Sequence, residues 1–515
     1  MSRAFTLVQS AAVSALIIPT TLWADITADD VWQNILDYSA VFGGALTADM
    51  SRSGDTVSVS DMTYTMDLPL EAGTVTVNLG SAELKERGDG AVDWFNSDTL
   101  IYRIAYSGSE EIESFSFDIP LTYEGMTMQA SGEPNDITYD WKADRLDMAI
   151  GRIPLGDEIE LSSLNGGYRD MVGQFRVTVG DLVDLQGNFE VGEQFFDMKQ
   201  SLTEFDGSTV KTFDKSRMAL MTGNAKGSFP RNGINILNLT TALRDGLSFE
   251  TSQTVEGYDT QQIVESDGTA IMTQVTQADS YGLDLALNES GFSLAGPSKN
   301  IRFELEMMDP MPQSINASIN SADVTFVMPL LKNDGNAPVA MLLDMQGITL
   351  GEAMWALFDP EQMLDRSPAD VTLDLSGTAK NNVEWLDFLN IEAALAGLDV
   401  LPVEMQELTL NALRISAAGA EVTGTGALTF DNTDLTTFDG MPRPEGSLEF
   451  DLLGINGLMD SLVLMGLLPE QDIVGFRMIM AMVTAPAESG EKDHLTSTIE
   501  MTPEGHVLAN GNRLK

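Results

Sequence analysis

The stretch Asp55–Lys85, DTVSVSDMTYTMDLPLEAGTVTVNLGSAELK, decides the fold. Val57 and Val59 alternate with Ser58 and Ser60, and Met62, Tyr64, Met66 and Leu68 then alternate with Thr63, Thr65 and Asp67. A turn cluster runs from Pro69 to Gly73, after which Val75, Val77 and Leu79 alternate with Thr76 and Asn78. Apolar against polar at period two marks strands with one dry face and one wet face. The phase flips once in each arm, at Ser60–Asp61 and at Gly80–Ser81. Those points lie at similar distances from the turn, so they can sit opposite each other. A bulge or strand break there keeps the apolar side chains on one side.

Toward the N-terminus, Thr27 to Phe42 reads as a helix. Thr27 caps it, Asp30 three residues later makes a capping-box variant, and both Asp29 and Asp30 suit the positive end of the helix dipole. Val31, Trp32, Ile35, Leu36 and Tyr38 form its apolar stripe, and Gly43–Gly44 ends it. So short a helix cannot stand alone and must lie on the sheet. Ahead of it, Arg3, the mostly apolar run Ala4–Leu22 and the small residue Ala24 read as a secretory signal over residues 1–24, with a mature start near Asp25. Leu22 is larger than the usual residue two places earlier, which leaves the cleavage site open. A retained anchor is the alternative; Thr6, Gln9, Ser10 and the short run speak against it. No later run reaches 18 unbroken apolar residues, so the mature chain is not expected to span a membrane.

Toward the C-terminus the same grammar continues. Antiparallel arms are predicted at 55–68, 74–85, 99–106, 111–130 and 136–150, joined by turns such as Arg87–Gly88–Asp89–Gly90 and Gly132–Glu133–Pro134–Asn135 into a meander. Asn165–Gly166–Gly167 interrupts the pattern, which resumes at Phe175, Val177 and Val179 and runs on through Phe189 and Phe195. From Gly207 to Met308 the strands read as shorter and more polar. Gly296–Pro297–Ser298 separates two strands and marks a boundary between an N-terminal β-rich region, 25–296, and a C-terminal α+β region, 297–515; Pro230 is a second candidate. Beyond it, 315–328, 340–345 and the stretch around Val371, Leu373 and Leu375 read as strands, and Gly351–Phe358 and Pro360–Leu364 as short helices. Leu408–Ile415 and Ala420–Phe430 form a hairpin around Ala418–Gly419. Leu452–Leu468 and Glu470–Val483 form a helical hairpin with Pro469 opening its second arm. The chain closes on two strands, 495–501 and 506–514.

The fold class is therefore mainly β with α, in long antiparallel sheets with an N-terminal helix and C-terminal helices packed on them. About 490 mature residues suit two or three domains or one long repetitive sheet. The chain has no cysteine, so it has neither disulfides nor thiolate metal sites. An exported protein without cysteine fits a bacterial periplasm. A formal charge of −50 excludes nucleic acid and anionic lipid headgroups as partners. It leaves a basic partner, a cation-rich surface or simple solubility, and the acids form no block.

Chemistry-bearing motifs are few. His494 and His506 fall on the two arms of the terminal hairpin and can face each other, with Glu500 or Glu504 as further ligands, but two histidines without a convergent third ligand read as surface residues. Ser208–Thr209–Val210–Lys211 fits S-x-x-K by letter only, in a turn rather than at a helix start. Asp431, Asp434 and Asp439 crowd one loop without the residue order of a calcium site. The methionines, 28 in all, cluster at Met126/Met128, Met307/Met308/Met311 and Met478/Met480/Met482. Core filling explains them first; as a functional feature they suit apolar or lipid contact better than copper. No catalytic residue, cofactor or metal site is predicted.

The stretches Trp23–Leu36 (WADITADDVWQNIL), Gly454–Val483 (GINGLMDSLVLMGLLPEQDIVGFRMIMAMV) and His494–Lys515 (HLTSTIEMTPEGHVLANGNRLK) resemble a family of exported bacterial proteins classed as a domain of unknown function. The resemblance runs over nearly the whole mature chain. The alternating strands and the closing G-x-x-x-x-N-G strand also resemble AsmA-like and YdgA-like envelope proteins. That likeness implies a long curved sheet with an apolar inner surface and, for AsmA-like proteins, a role in envelope lipid homeostasis. Neither family brings catalytic residues. The expected function is a non-enzymatic periplasmic envelope role, binding or conducting an apolar ligand such as lipid along a sheet groove. The alternatives are a protein-binding scaffold with an acidic surface, and a hydrolase with a site assembled from distant acids.

Overall fold

The computed structural model describes residues 25–97, 99–107, 114–154, 159–203, 207–308 and 312–515. The predicted leader, 1–24, the start of the predicted arm 111–130 and Met311 lie outside them. Among the described residues the chain is mainly β with six α-helices, and the observed strand pairings are antiparallel. It forms two compact units that part at Glu289/Ser290, with residues 307–312 returning to the first.

The first unit is a meander. It opens with β1 (Ala45–Ser53), β2 (Thr56–Asp67) and β3 (Thr74–Glu86). In the deciding hairpin Met62 pairs with Gly80, and the register shifts on either side of Met62. Asp61 and Gly80 both take positive φ, 52° and 79°. The two phase flips thus meet as one irregularity, and Val57, Val59, Met62, Ala82 and Leu84 are all buried. β4 (Val92–Asn96) and β5 (Thr99–Ser107) together line β3. β6 (Phe115–Glu124) and β7 (Thr127–Glu133) line β8 (Asp136–Ile150) in the same way. After the short β9 (Ile153–Pro154) comes β10 (Ile159–Val179), which pairs with β8 along one edge and with β11 (Leu182–Val191) and β12 (Gln194–Thr203) along the other. β13 (Thr209–Met218) and β14 (Leu220–Pro230) lead to β15 (Ser248–Ser266) and β16 (Thr269–Asn288).

Helix α1 (Ala28–Ala40) covers this sheet, touching β1, β3 and β10. Its capping box closes as expected, with the Asp30 N–H donating to Thr27 Oγ1 and the Thr27 N–H to the Asp30 carboxylate. Val31 and Trp32 are buried, and so is Asn34, a polar residue outside the predicted stripe. Asn34 Nδ2 donates to the Val177 carbonyl, and Asn34 Oδ1 accepts from the Tyr139 hydroxyl at 2.8 Å. The buried amide is tolerated because both its ends are bonded. A second short helix, α2 (Leu239–Arg244), buries Ala242 and Leu243.

Three sequence expectations are corrected here. The strand β4 lies in a stretch read as connection. Asn165–Gly166–Gly167 does not interrupt β10. Its glycines leave room for the rings of Phe196 and Phe195, since a Cβ on Gly166 would come 2.8 Å, and one on Gly167 2.4 Å, from those rings. The polar strands after Gly207 are not short: β15 and β16 are 19 and 20 residues long. Rows of Thr and Gln, such as Gln262 opposite Gln274 and Thr260 opposite Thr276, keep two wet faces paired without ending a strand.

The second unit begins with β17 (Gly291–Met307), which runs straight through Pro297 where a separation was expected. Proline's fixed φ is compatible with extended backbone and costs only a donor. Then follow β18 (Gln313–Met328), β19 (Ala337–Leu350), α3 (Glu352–Phe358), β20 (Ala369–Asn381), α4 (Ile391–Ala396), β21 (Val403–Ala417), β22 (Ala420–Asp431) and β23 (Arg443–Leu453). The hairpin at Ala418–Gly419 forms as predicted, both residues at positive φ. The helical pair α5 (Ile455–Leu464) and α6 (Glu470–Val483) also forms. β24 (Ala485–Pro486), β25 (His494–Met501), β26 (Val507–Ala509) and β27 (Asn512–Arg513) end the chain. Pro360–Leu364 is a turn, not a helix. The buried carboxylate of Asp359 takes the Met363 and Leu364 N–H groups and holds the chain out of helical continuation. The predicted last strand folds back on itself at Asn510–Gly511, both at positive φ.

Candidate apolar binding face

β18, β19, β20, β21, β22, β23 and β25 pair in that order, and the register sorts the side chains into rows. One row reads Val324, Leu343, Leu373, Leu413, Gly424, Phe450, Ser497. The row beside it reads Phe326, Met341, Leu375, Leu410, Gly426, Leu448, Ile499. On the other flank stand Ala322, Met345, Val371, Ile415, Val422, Leu452 and Leu495, and a fourth row carries Val339, Gly377, Leu408, Leu428, Gly446 and Met501. Leu410 and Leu413 are three apart, yet they share the face because a register shift falls between them. A row of the opposite face reads Asp323, Asp344, Thr372, Arg414, Thr423, Asp451, Thr496.

No Val, Leu, Ile, Met or Phe in these four rows is buried. Val324, Phe326, Met341 and Ile415 are 39–45% exposed. The first unit obeys the same period-two grammar, yet there the apolar face carries Val57, Leu84, Ile137, Tyr139 and Val177 at 1% exposure or less beneath α1. The difference lies in the helices. α3, α4 and α5 bury no residue and α6 buries Ile473 alone, so none of them closes over the rows as α1 does over the first sheet. Three rows across seven strands and a fourth across six, at about 4.8 Å between strands, outline a stripe of about 29 by 20 Å at its widest, or about 580 Å². A patch of several hundred Å² on a water-facing surface marks a binding surface.

The candidates raised by the sequence fall elsewhere. His494 and His506 do not face each other: His494 pairs with Leu453, and β26 begins only after His506. His494 Nε2 instead lies 2.7 Å from Asp451 Oδ1, and its Nδ1 lies 2.9 Å from Ser489 Oγ. This Asp–imidazole–Ser chain could not be found by spacing, because Asp451 reaches it from β23. Ser489 sits on an exposed turn with its oxygen also accepting the Glu491 N–H. It therefore lacks the water-excluded surroundings that give such a relay its force. Lys211 lies on β13, so the S-x-x-K letters carry no helix. Asp431 and Asp434 are held by Arg443, and Asp434 also accepts from the Thr437 hydroxyl and N–H, contacts that pull its pKa down to about 2. They brace a loop. Among the described residues no group of three acids or histidines is placed to hold a metal ion.

A depression of about 340 Å³ in the first unit is lined by Asn188, Glu190, Thr222, Asn224, Ser252 and Thr254 above Gly173 and Gly223. Its polar rim belongs to the wet side of that sheet. Among the described residues no helix is long and apolar enough to cross a membrane. Comparison with protein-family models, with curated proteins and with solved structures finds no match to the chain.

Proposed function

We propose that this chain is a non-enzymatic protein of the bacterial periplasm that binds an apolar ligand, of which a lipid is the best fit, along the uncovered face of its second unit. The reading is carried by one observation: three adjoining apolar rows across seven strands and a fourth across six, with no large apolar side chain buried. Covering the exposed part of these side chains with hydrocarbon removes apolar surface from water at about 25 cal/mol per Å², before the costs of ordering a guest. The stripe's length of about 29 Å matches the ~30 Å hydrocarbon thickness of a bilayer, which is two acyl layers, so one tail fits across the strands with room to spare. The alternation of Leu with Met345, Met341 and Met501 suits a ligand of variable shape.

The test is native mass spectrometry and organic extraction of the full chain purified without detergent. Bound lipid, displaced by an apolar fluorescent probe, is the expected result. A chain that carries no lipid and leaves the probe's emission unchanged would falsify the reading. Salt-sensitive capture of a basic protein, without lipid, would favour a scaffold built on the acidic surface.

A further inference from the structure

The pair α5–α6 is the second place where apolar side chains are left to solvent. Val474, Met478, Ile479 and Met482 are 59–66% exposed, Phe476 is 39% exposed, and Leu464 and Leu467 at the tip are 74% and 45% exposed. The base of the pair is fastened. The Asp493 carboxylate accepts the Asn456 and Gly457 N–H groups at the start of α5, and the Ser497 hydroxyl and the Asn510 amide both donate to the Val483 carbonyl at the end of α6. Arg477 turns inward to Asp460 and the Asn456 carbonyl. The exposed side chains are therefore not a frayed end but the outer surface of an anchored element.

What covers them follows from shape and charge. At 100° per residue, Val474, Met478, Met482, Ile479 and Phe476 spread over about 200° of the α6 circumference. A flat protein surface touches a narrower stripe; a helix that is apolar over so wide an arc suits a medium that wraps around it, as the interfacial layer of a bilayer does. From Ile473 to Val483 the only charged residue is Arg477, whose partner is Asp460. The arc thus offers no ion pair to a protein partner. The chain's formal charge of −50 repels anionic headgroups and leaves zwitterionic ones acceptable. Through Thr484, α6 runs directly into β24, whose Pro486 pairs with Leu495 of the apolar rows. The hairpin thus leads into the strand that pairs beside those rows.

We infer that the α5–α6 hairpin seats on the surface of a zwitterionic bilayer and that this bilayer is the source or sink of the ligand on the sheet. The inference rests on the lipid-binding reading for its purpose but not for its test. The chain has no cysteine, so a single Met478→Cys carries a polarity-sensitive fluorophore without further change. Phosphatidylcholine vesicles added to the full chain should shift the emission of this label to the blue. The same label at the exposed Glu488 should stay unmoved, and adding Ile479→Glu and Met482→Glu to the Met478→Cys chain should remove at least nine-tenths of the shift. An unmoved label at 478 overturns the inference. So does a shift that both sites share, or one that appears without vesicles as the chain is concentrated, which would make a second copy the occupant. Lipid extraction can succeed while the label stays silent, and the reverse, so the two readings fail separately.

Discussion

Leu343 of β19 stands directly opposite Leu373 of β20, on the face where aliphatic side chains of seven strands meet, and neither is buried. A cross-strand leucine pair in an antiparallel sheet ordinarily gains from being covered as well as from its neighbour. Here the neighbour is present and the cover is incomplete.

The pair gives the first prediction. Covering one leucine with a hydrocarbon guest contributes about 1.5–3 kcal/mol, so Leu373→Asp should weaken probe or lipid binding by about tenfold or more. Fluorescence titration with an apolar probe reads it. Binding within twofold of the parent chain would place the guest elsewhere.

Stability should respond in the opposite order. Leu84 is fully buried beneath α1, and Leu84→Ala should cost about 2–5 kcal/mol through the lost contacts and the cavity. Leu373→Ala removes a side chain that is only partly buried and should cost less than Leu84→Ala, about 1 kcal/mol. Urea unfolding of both variants decides it; equal costs would mean the second sheet is covered in solution.

The Tyr139 hydroxyl donates to Asn34 Oδ1, and both residues are buried. Burial also pushes the Tyr139 phenol well above its ordinary pKa, so it stays a donor through the neutral and mildly alkaline range. Tyr139→Phe leaves the amide oxygen unpaired and should destabilise the first unit by about 1–3 kcal/mol. A chemical-denaturation midpoint unchanged from the parent would show that water replaces the hydroxyl.

Gly167→Ala should strain β10, because the new methyl meets the Phe195 ring at 2.4 Å. Overpacking of this kind costs about 1–3 kcal/mol. Adding Phe195→Ala should cost less in this background than in the parent, and a double-mutant cycle measures the coupling.

Asp434 is held well below the usual carboxylate range, first by the Thr437 hydroxyl and then by the Thr437 N–H. A depressed carboxyl contributes stability above its unfolded pKa and loses it as pH falls through the folded value. The contribution should therefore fade between about pH 4 and the folded pKa of about 2. Asp434→Asn should flatten thermal stability across that window and lower it at neutral pH. The pH dependence of the melting temperature checks both.

Much of the architecture was legible because local rules agree along the chain. The capping box at Thr27 and Asp30, the paired phase flips at Asp61 and Gly80, the turn at Ala418–Gly419 and the stop at Pro469 each state their geometry within a few residues. The failures share a cause in distance. Gly166–Gly167 looked like a break because the rings that need the space, Phe196 and Phe195, arrive from β12. Asn34 fell outside the predicted stripe because its partners, Tyr139 and Val177, lie more than a hundred positions away. His494 found Asp451 across a ladder no spacing reveals.

The sequence by itself determined that both halves are ribbons with an apolar and a polar side, since a side chain's face in a strand follows from its parity and needs no tertiary knowledge. Only the tertiary structure decided which apolar side is closed. In the first unit α1 lies on the sheet and the apolar side chains beneath it are buried; in the second, no helix closes over the apolar rows and none of their large side chains is buried. Cover depends on where a helix is carried by the chain around it, and that is a property of the whole fold, not of any stretch within it.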